Sequence, residues 1–467
     1  MKRLLLIALF FLGPLMFAQS TSPKPAPAAA ASQAEDVRKI LTERVDLYKK
    51  SVGIVVGTIG PQGSKIYSYG KLADDSSAVL DGDTVYEIGS MTKVFTSLLL
   101  ADMVQRGEVK LDDPVSKYLP ASVKMPERNG RKITLLDLAT HTSGLPSMPS
   151  NLKPKDRLNL FADYTVEQMY AFLSGYELPR DIGSKYEYSN LGVGLLGHVL
   201  ALRAGMDYEK LVQTRILGPL KMTSTAITLT PEMRSHLAHG HNAALSPVPN
   251  WDLPTLAGAG ALRSTANDML KFLAANIGLT QTPLASAMKS MLDVRKPTGV
   301  PNLEIALAWH ILIKEGDQII WHNGGTGGYH SFMGFDLKTR TGVVVLSNSI
   351  NDIDDIGPHL LDSSYPLAKP SVPREHHEAK VDPKTFDAYI GHYELQPGAI
   401  AEVKRQGDAL FIQVTGQPQL QLFPESETEF FLKVVDAQLT FVKGPDGKVT
   451  SFVLHQAGFD LPAKKTD

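Results

Sequence analysis

The sequence predicts an α/β (α+β) fold: an antiparallel sheet flanked by helices, an all-α lobe beside it, and a separate C-terminal antiparallel β module. Strand-like patterns stand near both ends of the first 365 or so residues and enclose a long run of helical patterns. A proline-rich stretch with charges of both signs, residues 367–384, then interrupts the chain, and almost pure strand alternation follows it. Period 3.6 and period 2 are the two signals behind this division.

Lys2-Arg3 followed by the apolar run Leu4 to Ala18 reads as a secretory signal over residues 1–20, since the run is shorter than the roughly 20 residues a membrane span needs. Residues 21–36 (from TSPKPAPAAAASQA onward) read as a linker. Val37 to Lys49 is amphipathic at helical spacing, and Gly53-Ile-Val-Val-Gly-Thr-Ile-Gly and Lys65-Ile-Tyr-Ser-Tyr are strand-like. Helices are expected from Ser90, over Leu135–Thr140, Val166–Leu173, Leu191–Ala204 and Tyr208–Ile216, and within Gly258–Ile277. Strands return at Ile305–Ile313, Gln318–Trp321, Ser331–Asp336 and Gly342–Asn348, which places one domain at 37–366. In the C-terminal module, 385–460, Leu410, Ile412 and Val414 alternate, and Asp446-Gly447 marks a hairpin in a small barrel-like unit.

With 43% hydrophobic and 21% charged residues, the 467-residue chain has ample material for a core. A net charge of −2 gives no footprint for nucleic acid or an anionic membrane. There is no cysteine, hence neither disulfides nor lipidation at a signal-peptide cysteine. An exported protein, periplasmic or secreted and without a stable membrane span, is the expectation.

The chemistry concentrates at Ser90-Met-Thr-Lys93. Met91, Val94, Phe95, Leu98, Leu99 and Met103 recur at helical spacing, so Ser90 opens a helix and Lys93 lies one turn on along the same face. A serine hydroxyl needs a neighbouring base to become a nucleophile, and a helix start offers N–H groups to a developing oxyanion. The same spacing occurs at Ser68/Lys71, Ser150/Lys153 and Ser286/Lys289, so Ser90 is distinguished by what lies downstream. Tyr188-Ser-Asn190 sits in a turn-rich stretch before a helix, and His322-Asn-Gly324-Gly325 follows a strand, where glycines signal a close backbone approach.

At these three points the chain resembles the serine β-lactamase and penicillin-binding-protein superfamily. The nearer likeness is to the branch of class C β-lactamases, D-alanyl-D-alanine carboxypeptidases and related esterases. Supporting segments are Leu138-Ala-Thr-His-Thr-Ser-Gly-Leu-Pro146, Ile216-Leu-Gly-Pro-Leu-Lys-Met222 and Gly258-Ala-Gly-Ala-Leu-Arg-Ser-Thr-Ala266. The resemblance implies a β-lactamase/transpeptidase-like fold and an acyl-enzyme on Ser90. Lys93 and Tyr188 share acid–base duty, and the N–H groups of Ser90 and Gly325 form the oxyanion hole. Asn190, His322 and Gly324 bind substrate. No metal or cofactor is implied, and the partner is a small peptide, ester or β-lactam, or peptidoglycan. Peptidase, β-lactamase and esterase activities share these residues, as would a penicillin-binding sensor or scaffold. Whether Lys93 or Tyr188 is the base stays open, because both titrate near 10 and are coupled. His322 replaces the lysine of the Lys-Thr-Gly form. It serves either as a cation that holds a carboxylate and fades above about pH 6.5, or as a neutral hydrogen-bonding group.

Other signals carry less. His236-x-x-His239-x-His241 reads as a surface loop rather than a metal site, His376-His377 as solvated linker, and Asp112-Asp113 as a structural turn. There is no Gly-x-Ser-x-Gly elbow.

Overall fold

A computed structural model describes residues 30–73, 78–370, 372, 376–396, 399–415, 419–433, 437–456 and 459–467. The expected signal segment lies outside the described residues, as does most of the stretch read as the first linker. Two compact units are present, Ala34–Ala368 and Lys369–Asp467.

In the first unit the expected N-terminal helix spans Ala30–Thr42 (α1) and continues as a π-turn over Glu43–Leu47. It starts seven residues before Val37, within a stretch read as linker. Alanine is the best helix former, and no proline follows Pro27 there. The main sheet is built from β1 (Gly53–Gly60), β2 (Gly63–Gly70), β3 (Lys296–Pro297), β4 (Leu303–Ile305), β5 (His310–Lys314), β6 (Asp317–Gly325), β7 (His330–Asp336) and β8 (Thr341–Ser347). Its order is β2-β1-β8-β7-β6-β5-β4-β3, with every pair antiparallel. The first strands therefore dock against the last one. β7 and β8 are almost wholly buried, which explains their near-continuous apolar runs, whereas edge strand β2 is mostly exposed and carries Ser64, Lys65 and Ser68.

Two expected strands differ. Ile305–Ile313 is broken between β4 and β5, where Ala308 takes φ +61° and its N–H bonds to Ala139 O. Gln318–Trp321 extends through the glycines to Gly325, because the backbone itself packs there and side chains would not fit.

The helical lobe comprises α2 (Thr92–Gln105), α3 (Leu135–Ala139), α4 (Val166–Gly175), α5 (Asn190–Ala204), α6 (Tyr208–Val212) and α7 (Ala257–Gly260). Thr134 and Thr165 form capping boxes at α3 and α4, and Gly205 ends α5 in the left-handed region. α8 (Ala266–Asn276) packs on β1 and β8. α2 is buried on all sides from Thr92 to Met103, so it is the lobe's central rod rather than a surface helix. Among the described residues no helix is long and apolar enough to cross a membrane.

The second unit is a closed eight-stranded antiparallel barrel running from Gly391 to Lys465. Its interior is filled by Tyr393, Leu410, Phe430, Leu439, Phe441 and Phe452, and Asp446-Gly447 turns one hairpin with Gly447 at φ +77°. His376, expected to be solvated, is instead packed. Its ring stacks on Phe431 at 4.7 Å, and its Nδ1 lies 2.9 Å from Glu425 Oε2.

Candidate active site

Ser90 occupies a single 3-10 turn, Gly89–Met91, that leads into α2. The turn is pressed against the end of β6. A Cβ on Gly324 would lie 2.1 Å from Ile88 O and 2.6 Å from Ser331 Oγ. One on Gly89, which has φ +48°, would lie 2.8 Å from both Gly325 N and Gly325 O. Ser331 Oγ, across from Gly324 on β7, donates to Ile88 O at 2.9 Å. The glycines thus bring the backbone of Gly325 against the start of the Ser90 helix.

Lys93 is fully buried, its Nζ 2.9 Å from Ser90 Oγ, 2.8 Å from Asn190 Oδ1 and 2.7 Å from Ala259 O. Burial in the first turn of α2 holds its amine well below 10.5, with no carboxylate to oppose it. A neutral amine has two N–H bonds and one lone pair. Asn190 Oδ1 and Ala259 O can only accept, so they take both N–H bonds and leave the lone pair for the Ser90 hydroxyl. Ala259 reaches this position because α7 is made of alanine and glycine: a Cβ on Gly197 of α5 would lie 2.9 Å from Gly258 Cα.

Tyr188 stands over Nζ, 4.8 Å from it to the ring centroid. Burial pushes its phenol above 10, only partly countered by the neighbouring Ser90 hydroxyl. Two adjoining groups that both titrate near 10 in water are therefore driven apart, the lysine toward free amine and the tyrosine toward phenol.

The loop holding Tyr188-Ser-Asn190 is moulded by His141, which sequence reasoning did not single out. Its ring stacks on Tyr188 at 4.5 Å, its Nδ1 accepts from Ser189 N at 3.0 Å, and its backbone carbonyl accepts from Glu187 N at 2.8 Å. Ser189 caps α5 through Gly192 N at 2.8 Å, so Asn190 is the first helical residue. The only signal for His141 was its place in Leu138–Pro146, and its φ of +56° marks a sharp local turn.

His322 is fully buried behind Tyr188, with ring centroids 6.4 Å apart, and its Nδ1 meets Asn323 O at 2.5 Å. Burial drives its pKa well below 6.5, and His310 and Lys93 nearby would repel a proton there whenever they carry one themselves. His310, stacked on Trp321 and 5.3 Å from His322, is pulled down to about 4 by burial. Of the two alternatives for His322, burial favours the neutral, hydrogen-bonding one.

Ser90, Lys93, Tyr188, Asn190, His322, Gly324 and Gly325 thus come together, although 235 residues separate the first from the last. The other serine–lysine spacings lie elsewhere. Ser68 Oγ bonds to Leu80 O on the edge strand, and Ser286 meets Gln105. His236 and His239 are exposed but His241 is buried, its Nδ1 2.9 Å from Asn348 O, so the three do not form a surface loop together. Asp113 is structural, accepting from Lys110 N at 2.7 Å and pairing with Lys117 at 2.8 Å.

Residues 37–357 match the Beta-lactamase family, and residues 375–466 match a domain of unknown function (DUF3471). The chain belongs to the Beta-lactamase family and is a serine hydrolase of the β-lactamase and carboxypeptidase type. It is 30% identical, over 78% of its length and 99% of the relative's, to the D-alanyl-D-alanine-carboxypeptidase/endopeptidase AmpH of Escherichia coli K12. It is 27% identical to penicillin-binding protein 4* of Bacillus subtilis, over 86% of this chain and 92% of that one. A β-lactamase/D-alanine carboxypeptidase from Yersinia pestis, solved with citrate, superposes with a TM-score of 0.62 at 24% identity. The match covers 71% of this chain and 98% of that one, a likeness of fold.

Proposed function

We propose that this protein is an exported acyl-enzyme hydrolase in which Ser90 attacks D-alanyl-D-alanine-type peptide bonds and β-lactam rings. The carrying observation is the Lys93 amine, whose two N–H bonds are committed to Asn190 and Ala259 while its lone pair meets Ser90 Oγ. Lys93 takes the serine proton as Oγ bonds to the substrate carbonyl, and the carbonyl oxygen becomes an oxyanion between the N–H groups of Ser90 and Gly325. As the tetrahedral species collapses, the Tyr188 phenol gives its proton to the leaving nitrogen and recovers one from the Lys93 ammonium. Water then attacks the acyl-enzyme by the reverse proton route. Gly324 keeps strand β6 close enough for substrate to lie along it, Asn190 takes the acyl-side amide, and His322 holds the back of Tyr188. The name of the Escherichia coli relative supports the peptide substrate, that of the Bacillus subtilis relative supports reaction with a β-lactam, and Lys2-Arg3 with the apolar run after it supports export and a periplasmic or secreted location.

The test is incubation with a labelled penicillin and intact-mass measurement over time, for wild type and Ser90→Ala. An adduct that persists marks a penicillin-binding peptidase, one that turns over marks a β-lactamase, and either must vanish in Ser90→Ala. Labelling that survives there would overturn the assignment. An esterase reading has one observation in its favour: buried, neutral His322 suits leaving groups without a carboxylate. No adduct from penicillin together with turnover of a neutral ester selects it.

A further inference from the structure

One buried group near the site has no part in the acyl-transfer steps. His330 opens β7 directly across from Gly325, at the last rung of the β6–β7 ladder, and is 3% exposed. Its Nε2 lies 2.9 Å from Asp354 Oδ1 and its Nδ1 lies 3.3 Å from Ile350 O. The other carboxylate oxygen, Asp354 Oδ2, accepts from Asn323 Nδ2 at 2.5 Å. Asn323 sits between His322 and Gly324 on the strand whose end is pressed against the Ser90 turn. An imidazole, a carboxylate and a carboxamide therefore form a bracket across the outer end of β6 and β7. The turn it closes is short: Thr326 N donates to Tyr329 O at 3.0 Å.

We propose that His330 is a positioning residue, acting through Asp354 and Asn323 to hold the Gly325 end of β6 at the distance from Ser90 that the oxyanion requires. This rests on the reading of Gly325 N–H as an oxyanion donor.

The chemistry of the bracket is that of an ion pair. With Ile350 O and Asp354 Oδ1 both acceptors, both ring nitrogens of His330 donate, which only the imidazolium can do. Burial works against the charge, but Asp354, by charge and hydrogen bond, and Asp352, 3.9 Å away, outweigh it and raise His330 to about 9. The other groups around the bracket are Ser347, paired with His330 on β8, His241, whose Nδ1 meets Asn348 O, and His310, which feels the Asp354 charge and is itself neutral at pH 7. Asp355 next in sequence is engaged by Arg44. The proton on His330 therefore holds Asp354 in place, and Asp354 holds Asn323.

Losing an oxyanion donor outright costs about 10²–10³ in kcat, so a donor held loosely should cost about ten- to a hundredfold. The test uses the full chain and a neutral chromogenic ester, with His330→Leu, His330→Gln and Asp354→Asn. We expect Leu and Asn to lower kcat by about ten- to a hundredfold and to leave KM nearly unchanged. Gln, which still donates to Asp354, should rescue most of kcat. Wild-type kcat should fall as pH rises through about 9, and the His330→Gln profile should lack that limb because a carboxamide does not titrate. Wild-type kcat in both His330→Leu and Asp354→Asn would overturn the inference. So would an effect on KM alone, or an alkaline limb that persists in His330→Gln. If His330→Leu does not fold, the Gln and Asn variants decide by the same criteria. Activity surviving in Ser90→Ala would instead remove the active-site reading itself, a failure separate from that of the bracket.

Discussion

Replacing Gly324 with alanine tests the closest approach in the site. The added Cβ would sit 2.1 Å from Ile88 O, whereas real Cβ contacts below 3.0 Å are essentially never seen, so about 0.9 Å of movement is required. Neither side yields cheaply. The carbonyl already accepts from Met91 N at 3.2 Å and from Ser331 Oγ at 2.9 Å, and β6 is held by ladders on both flanks. Overpacking of this kind costs about 1–3 kcal/mol of stability. Because Ile88 is two residues from Ser90, the movement falls on the gap between the nucleophile and Gly325, and a displacement near 1 Å costs about a hundredfold in rate. We therefore expect kcat for a chromogenic ester or lactam to fall about a hundredfold, with a modest drop in Tm and an unchanged circular dichroism spectrum. Stopped-flow acylation isolates the step. An acylation rate within threefold of wild type, in a folded variant, would refute the idea that this contact sets the site.

Tyr188→Phe keeps the ring stacked on His141 but removes the hydroxyl, and acylation should slow by about two to four orders of magnitude; a change of only a few-fold would mean Lys93 works alone. Because His322 is buried and neutral, the ratio of kcat/KM for an acidic substrate to that for a neutral ester should stay level between pH 6 and pH 8. A steady fall in that ratio would restore the histidine cation. Lys93 must be free amine to act, so kcat/KM should fall only as pH drops through its depressed pKa, and an acid limb near 10 would contradict its burial. His330 is raised from 6.5 to about 9, so its ion pair stabilises the fold fully below 6.5 and loses that contribution as pH rises through 9. The difference in unfolding free energy between wild type and His330→Gln should shrink by up to about 3 kcal/mol across that window, read by urea titration; a constant difference would exclude the linkage.

Local pattern made much of this molecule legible. The 3.6-residue spacing after Ser90 marked α2, and the turn residues before Leu191 marked the start of α5. The burial of α2 on every side was harder to see, because its pattern looks amphipathic until the lobe surrounds it, and that burial is what strips Lys93 of its charge. His141, Ala259, His310 and His330 carry no local signature of their roles. Each acts through a partner brought in by strand register or helix packing across 48 to 166 residues, or, for His310 and His330, through the β5–β6 and β6–β7 ladders. The glycines of 324–325 were visible as a place of close approach, but not the neighbour approached. The break at Ala308 was hidden because Ile305–Ile313 reads as one apolar strand until Ala139 O claims the Ala308 N–H.

The order of the main sheet has a consequence for how the chain acquires its structure. β1 makes its inner partnership with β8, pairing Ile54 with Ser347 across 293 intervening steps of chain. Closing a loop of that length costs about 5 kcal/mol of chain entropy by the logarithmic estimate. The β1–β2 hairpin can form as soon as it is made, but its apolar inner edge must wait until the whole helical lobe has been synthesised. A nascent chain halted inside that lobe therefore displays an unsatisfied strand rich in Ile, Val and Gly, the kind of edge that recruits other chains. Folding of the sheet should be the late, slow event, following collapse of the locally connected helices.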